Sequence, residues 1–137
     1  MSAYTASMTP LSDKAQSLLS GKNFGMLGIV GSDGAAQVTP VWVELDGDSP
    51  SFNTATGRPK LKHMQRDPRV TLTLIDPENP YTYVELRGTV ELSEGDAAEA
   101  QIDRLAKKYI DQDVYPWRQP TESRVSAKLH VTKELGM

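Results

Sequence analysis

The sequence of 137 residues contains no cysteine and only two histidines. Without cysteine, neither disulfide bonds nor thiolate metal sites can form, which fits a reducing compartment. His63 and His130 lie far apart in the sequence, and no carboxylate pair is spaced to complete a metal site with either of them. We therefore expect a surface or structural role for both histidines and predict no metal site.

Long apolar segments and a strong net charge are also missing. No apolar run approaches the ~18 residues that a membrane-spanning helix needs, and the first residues, MSAYTASMTP, lack the apolar centre of a signal peptide. The formal net charge of -3 argues against general nucleic-acid binding, because such proteins usually carry a broadly basic face. We expect a soluble, cytoplasmic protein with no membrane span and no nucleic-acid partner.

The length suits one domain with one core. Residues 1–8 are predicted to be disordered and residues 9–137 to form the domain. The segment TPLSDKAQSLLSGK is predicted to form a first helix, capped by Thr9 and with Pro10 in its first turn. A short helix is predicted to start at Pro59, and GDAAEAQIDRLAKKYI has the apolar spacing of a third helix.

Six strands are predicted from apolar alternation and turn signals. The first two form a hairpin around Ser32-Asp33-Gly34, and because both are apolar on both faces, we expect each to be covered on both sides. Gly88, inside the long fifth strand, indicates a bulge or a close backbone approach. The meander order favours a mainly β (α+β) fold, in which a six-stranded antiparallel sheet rolls into a small barrel flanked by two or three helices.

A basic cluster stands out in this acidic chain. The segment Asn53–Val70 has a local charge of +4, from five cations against the one acid Asp67: Arg58, Lys60, Lys62, Arg66 and Arg69. The preceding strand supplies two threonine hydroxyls, and the chain then breaks at Gly57 and enters the short helix. Because helix N-termini attract anions, we consider a phosphate site formed by Thr54, Thr56, Arg58, Lys60 and Lys62. The alternative is a solvated basic helix without a ligand, and composition alone leaves both interpretations open.

The segment QVTPVWVEL contains Pro40, which cannot donate a hydrogen bond to a strand ladder. Its position leaves nearby backbone groups free, and a flat heteroaromatic ring could bind to them. A structural bulge at a barrel corner is the alternative, and it is the favoured one on the residues alone.

Known catalytic motifs are missing from the sequence, which has no nucleophile elbow, Walker loop, GxGxxG or HExxH. The loop with Tyr115 and Trp117 beside Pro116 could cover a ligand, form a dimer contact or pack in a core. A protein that has an anion site but no acid–base or nucleophile set can still be an enzyme if its cofactor carries the reaction.

Three segments occur in a characteristic order and spacing: TPVWVELDGD, GRPKLKHMQRDPRV and DPENPYTYVELRG. Together they resemble the flavin/deazaflavin oxidoreductase superfamily, whose fold is the pyridoxamine 5'-phosphate oxidase-like, FMN-binding split β-barrel. The similarity is strongest to the branch that uses the deazaflavin coenzyme F420, and it covers roughly residues 9–135.

The resemblance implies a homodimer with two cofactor sites at the subunit interface. It implies that Arg58, Lys60 and Lys62 hold the cofactor's phosphate or the start of its acidic tail, with hydroxyl contacts from Thr54 and Thr56. It also implies that the deazaflavin ring lies against backbone at four consecutive positions: Val38, Thr39, Pro40 and Val41. No catalytic side chain is assigned.

The function implied by the resemblance is an F420-dependent reductase that transfers a hydride from the reduced deazaflavin to an unsaturated or conjugated small-molecule acceptor. Members that oxidise pyridoxamine phosphate carry phosphate-binding cations in the second-strand region, and VTPVWVEL has none. This departure argues against pyridoxal phosphate production and makes FMN the second choice of cofactor. The alternatives are an FMN-dependent oxidase or reductase of the same fold and a non-catalytic protein that binds a cofactor or tetrapyrrole.

Overall fold

A computed structural model describes residues 9–137, which form three helices and seven strands. The predicted mainly β architecture with flanking helices is confirmed, with seven strands in place of six. The predicted disorder of residues 1–8 lies outside the described residues. In chain order, the elements are α1 (Asp13–Ser20), β1 (Gly25–Val30), β2 (Ala36–Val41), β3 (Val43–Asp46), β4 (Ser49–Ala55), α2 (Pro59–Arg66), β5 (Arg69–Asp76), β6 (Asn79–Glu94), α3 (Asp96–Ile110) and β7 (Arg124–Gly136).

The additional strand arises at Trp42. The sequence predicts one strand through QVTPVWVEL, but β2 ends at Val41 and β3 begins at Val43. The strands form one antiparallel sheet in the order β2-β1-β5-β6-β7-β4-β3, so β2 and β3 are its two edges. Because Trp42 alone joins these two strands, it brings the two edges of the sheet together, as a split barrel requires.

β2 also differs from its prediction in burial. Among its six residues only Val41 is buried, and Val38 exposes 59% of its surface. The expected cover on both sides is therefore wrong for β2, because it is an edge strand whose main neighbour is β1 and both of its faces are exposed up to Pro40. A groove of about 750 Å³ lies on the outer side of the sheet, where Val38, Gly28 and Thr71 contribute to its lining.

The predicted irregularity at Gly88 is confirmed. The pairing of β6 with β7 shifts between Arg87, opposite Lys133, and Gly88, opposite Val131. A Cβ atom at Gly88 would lie 2.0 Å from the backbone oxygen of His130. Only glycine permits this approach of the two backbones, and the bulge bends the longest strand of the barrel.

Helix α1 begins later than predicted. Its N-cap is Ser12, whose hydroxyl accepts a hydrogen bond from the Ala15 N–H. Thr9 instead joins the last strand, since its N–H donates to the Val131 carbonyl at 2.7 Å. The predicted cap at Thr9 with Pro10 in the first turn is therefore wrong, because backbone pairing with β7 takes these residues out of the helix.

Two apolar clusters fill the interior. The main core lies between the inner faces of the strands and helices α1 and α2. A smaller cluster is formed by Ile102, Leu105 and Tyr109 of α3, and it packs against Trp42 and Tyr115. The apolar face predicted for α3 is buried as expected. None of the helices in residues 9–137 is long and apolar enough to cross a membrane.

Candidate functional site

Three of the residues predicted to bind a cofactor meet in one cavity of about 230 Å³. Pro40 and Val41 lie at the end of β2, and Lys60 lies in the first turn of α2. The remaining walls come from α3, from the start of β7 and from aromatic side chains. The fold therefore gathers residues that are distant in sequence at the place where the edge strand β2 ends.

Lys60 is a half-buried cation in this cavity. Burial lowers the pKa of its ammonium group, and the positive charge of the neighbouring Arg58 lowers that pKa further. Within residues 9–137, no carboxylate forms an ion pair with Lys60. Because partial burial disfavours an uncompensated charge, an anion bound here would stabilise the protonated form.

Arg58 and Arg124 share one carboxylate. Arg58 is the N-cap residue of α2, and its guanidinium lies 3.6 Å from the carboxylate of Glu122. The other oxygen of Glu122 accepts a hydrogen bond from Arg124 Nη1 at 2.9 Å. We name the group of Arg58, Lys60, Glu122 and Arg124 the charged corner.

Arg124 is the most buried member of the charged corner, with only 5% of its surface exposed. Its Nε donates to Asn53 Oδ1 at 2.9 Å, and its guanidinium lies 5.0 Å from the centre of the Tyr115 ring. It also lines the cavity. Reasoning from the sequence missed Arg124, although a charged residue at the head of an apolar strand is a signal that could have identified it.

The other members of the predicted phosphate site lie outside this cavity. Thr54 is buried within β4, and Lys62 is exposed on α2. The hydroxyl of Thr56 accepts a hydrogen bond from the N–H of Ser123 at 2.9 Å, so it ties the end of β4 to the start of β7. The structure thus places Lys60 in the cavity and Arg58 beside it, while the two threonines and Lys62 surround them.

The four residues predicted to lie against the cofactor ring point to two different faces of β2. Side chains two positions apart on a strand project from the same face, so Val38 and Pro40 face one side and Thr39 and Val41 the other. Val38 lines the outer groove, whereas Pro40 lines the cavity beside Lys60. The face of β2 that carries Val38 and Pro40 therefore runs from the groove to the charged corner.

An aromatic wall lies beside the charged corner. Trp42 contacts the edge of Tyr115, with ring centroids 6.1 Å apart, and it also contacts Trp117, at 6.4 Å. Trp117 and Phe24 line the same cavity, yet each exposes more than half of its surface. Exposed aromatic faces beside a charged site are typical of surfaces that bind planar ligands.

The loop that carries Tyr115 and Trp117 is fixed to α3 by polar contacts. The Tyr115 N–H donates to Asp103 Oδ1 at 2.9 Å, and Arg118 pairs with both Asp103 and Glu99. In the structure this loop lines the cavity through Tyr115 and Trp117. Tyr115 also packs partly on the smaller apolar cluster of α3.

The two histidines lie away from the cavity. His130 Nε2 is 2.9 Å from Glu91 Oε1, and His63 Nδ1 is 3.3 Å from an Arg66 nitrogen. Across residues 9–137, no group of three or more His, Asp or Glu side chains is arranged to hold a metal ion.

The fold and the cavity define a class of protein, namely a split β-barrel with a positively charged corner beside an aromatic wall. Residues 11–134 match the family described as pyridoxamine 5'-phosphate oxidase, and the chain belongs to this family. The resemblance inferred from three sequence segments is therefore confirmed at the level of the family.

Solved structures with the same fold include proteins of different activities. An F420 reductase is 32% identical, with a TM-score of 0.75 over 88% of this chain and 94% of that chain. Rv2991 from Mycobacterium tuberculosis is 19% identical, with a TM-score of 0.73 over 94% of this chain and 85% of that chain. A heme-binding protein from Mycobacterium smegmatis is 21% identical, with a TM-score of 0.62 over 90% of this chain and 52% of that chain.

Proposed function

We propose that this chain is an F420-dependent oxidoreductase that reduces an unsaturated or conjugated small molecule. The observation that carries the proposal is the half-buried ammonium of Lys60, which lacks an ion-pair partner in residues 9–137 and shares a cavity with Pro40 and Val41. The 32% identity to an F420 reductase supports the deazaflavin over FMN as the cofactor.

The charged corner fits the anionic group of such a cofactor. Arg58, Lys60 and Arg124 carry three positive charges against the single negative charge of Glu122, which leaves an excess of two. Arg58 and Lys60 would bind the phosphate through charge-assisted hydrogen bonds. Lys62, exposed on the same helix, would contact the start of the acidic tail.

The ring of the cofactor would lie along β2. An edge strand leaves one side of its backbone unpaired, and Pro40 has no N–H group to offer there. Backbone groups from Val38 to Val41 would bind the polar edge of the ring, and Thr54 and Thr56 would support the strand that leads to the phosphate. A second copy of the chain would cover the exposed face of β2 and complete the site as a homodimer.

When bound, reduced deazaflavin supplies a hydride to an electron-poor acceptor. The contribution of the protein is to bind the phosphate, orient the ring against β2 and exclude water at the aromatic wall. The FMN-dependent and non-catalytic alternatives predict different behaviour, since the first favours FMN in binding and the second gives tight binding without turnover of any acceptor.

Fluorescence titration of F420 with the R58A/K60A double variant tests the proposal. Each lost charged hydrogen bond is expected to reduce the binding free energy by about 1–3 kcal/mol. The matched control, R104A/K107A, removes two exposed cations from α3 that lie outside the charged corner. An unchanged affinity in R58A/K60A, or an equal loss in the control, would refute the assigned phosphate site.

A further inference from the structure

Glu122 is the one acidic member of the charged corner, and its side chain is almost fully buried between two arginines. Its carboxylate lies 3.6 Å from Arg58 and 2.9 Å from Arg124, and the Glu122 side chain is only 9% exposed. An anion bound by Arg58 and Lys60 must therefore share Arg58 with a negative charge that the protein itself supplies. Glu122 already compensates part of the positive charge of Arg58, so less of that charge is left to attract a ligand.

The two cofactors considered for this fold differ in the charge of their phosphate. FMN carries a phosphomonoester, which has a second pKa near 6 and is mostly a dianion at pH 8. F420 carries a phosphodiester between its ribityl chain and its tail, and a diester has a single negative charge at any pH above about 2. The two groups are close in size, so charge is the property by which a fixed carboxylate can distinguish them.

We infer that Glu122 determines cofactor specificity by repelling a doubly charged phosphomonoester more strongly than a singly charged phosphodiester. The inference rests on the proposed function and names a residue that acts through Arg58, not one that touches the reacting atoms. A carboxylate on the far side of Arg58 would lie roughly 7 Å from a bound phosphate, and at an effective dielectric constant of about 35 one extra ligand charge at that distance changes the affinity by about tenfold.

The charge of Glu122 acts on both of its neighbours. Arg124 is the closer and the more buried of the two, so the carboxylate compensates its guanidinium charge, and Arg124 Nε has a second, neutral partner in Asn53 Oδ1. Arg58 lies 3.6 Å from the same carboxylate, and its side chain is 53% exposed, so it remains open to a ligand. A dianion bound by Arg58 would therefore meet the negative charge of Glu122 as well as the positive charge of the guanidinium.

The E122Q variant tests the inference because glutamine keeps the size of the side chain and one acceptor oxygen and removes the negative charge. Dissociation constants are measured at pH 8 by fluorescence titration for two pairs of ligands, FMN with riboflavin and F420 with its phosphate-free chromophore. The ratio within each pair isolates the contribution of the phosphate and tail from that of the ring. In E122Q the phosphate of FMN is expected to gain about tenfold in affinity relative to that of F420.

E99Q is the matched control. Glu99 holds the same loop through Arg118 and the Arg124 backbone N–H, but it does not pair with Arg58. E99Q is expected to leave the FMN-to-F420 discrimination unchanged. Equal changes for the two phosphates in E122Q, or the same discrimination change in E99Q, would overturn the inference, since a structural effect of the loop would then explain the data.

A second arm separates failure of the inference from failure of the proposed function. If the wild-type protein binds neither cofactor, the proposed function fails, and the inference is decided with simple anions. Inorganic phosphate and dimethyl phosphate are titrated at pH 8 while the NMR signals of Lys60 and Arg58 are followed. E122Q is expected to strengthen binding of phosphate about tenfold more than binding of dimethyl phosphate. Equal effects on both anions, or no binding of either, would overturn the inference.

Discussion

The indole ring of Trp42 lies parallel to the phenol ring of Tyr109, with centroids 5.5 Å apart and 5° between the ring planes. Trp42 joins the two edge strands, and Tyr109 belongs to the last turn of α3. The Tyr109 hydroxyl also donates to the Asn23 carbonyl at 2.6 Å and accepts from the Val43 N–H at 3.1 Å. One aromatic pair therefore ties the closure of the barrel to the helix that covers the cavity.

This stack predicts that replacing Trp42 destabilises the protein more than replacing Trp117. Trp42→Ala is expected to lower the free energy of unfolding by about 2–4 kcal/mol, because it removes a partly buried ring that contacts three other aromatic side chains. Trp117→Ala is the control, and its cost is expected to stay below about 1 kcal/mol since that ring is mostly exposed. Urea denaturation followed by far-ultraviolet circular dichroism measures both, and equal losses would contradict the assigned role of Trp42.

The bulge at Gly88 predicts strong intolerance of a methyl group. Gly88→Ala is expected to destabilise the protein by at least about 3 kcal/mol, because its Cβ atom would lie 2.0 Å from the His130 backbone oxygen. Gly28→Ala is the matched control in the same sheet, where the new Cβ atom would lie at an ordinary 3.6 Å from its nearest neighbour. Melting temperatures compare the two variants, and a mild effect of Gly88→Ala would show that the two strands can separate locally.

The ion pair of Asp67 with Arg69 predicts how the stability of the protein depends on pH at low pH. The side-chain hydrogen bond from Arg69 is the main cause that lowers the Asp67 pKa from 3.8 to about 2. Because this folded-state pKa lies below the ordinary value, the carboxylate contributes stability above about pH 4, and this contribution is lost as the pH falls from 3.8 towards 2. NMR titration of the Asp67 carboxyl carbon measures the pKa directly.

The same titration shows whether the Asp67 pKa is lowered by the hydrogen bond from Arg69 or by nearby positive charge in general. Arg69→Ala is expected to return the Asp67 pKa towards 3.8, whereas Arg66→Ala, which removes only a weak charge interaction, should change it little. Similar pKa values in the two variants would mean that the hydrogen bond is not the cause.

The positions of the two tryptophans predict an intrinsic signal for cofactor binding. Trp42 and Trp117 are the only tryptophans of the chain, and both line the cavity beside Lys60. A deazaflavin or flavin absorbs where tryptophan emits, so binding at the proposed site is expected to quench most of the fluorescence of the wild type. The single-tryptophan variants W42F and W117F should each be quenched on titration. Binding detected by equilibrium dialysis without quenching in either variant would place the cofactor elsewhere.

Much of the fold follows from local sequence patterns. The apolar spacing of α3 predicts its buried face correctly, because this helix packs one face on the interior. β2 has an equally apolar sequence, yet it is exposed, since its burial depends on its place at the edge of the sheet. The start of α1 was also set by distant contacts, because the Thr9 backbone pairs with the last strand instead of entering the helix.

The candidate site was predictable only where its residues carry a local sequence signal. Pro40, Arg58 and Lys60 carry local signals, namely a proline inside a strand and cations beside a helix start. Glu122 and Arg124 carry only a weak one, a pair of opposite charges two residues apart before an apolar strand. Their importance comes from the pairing of β7 with β4, which places them next to α2, and no pattern within either segment encodes that pairing.

β7 lies between β6 and β4 in the sheet, although it is the last strand in chain order. Until β7 has been synthesised, the hairpin of β3 and β4 has no strand to join it to the other four, and the edges of β4 and β6 stay bare. Unpaired edges on a growing polypeptide invite pairing with other chains. The barrel can therefore close only after β7 has been made, and until β7 pairs, these two edges are open to pairing with other chains.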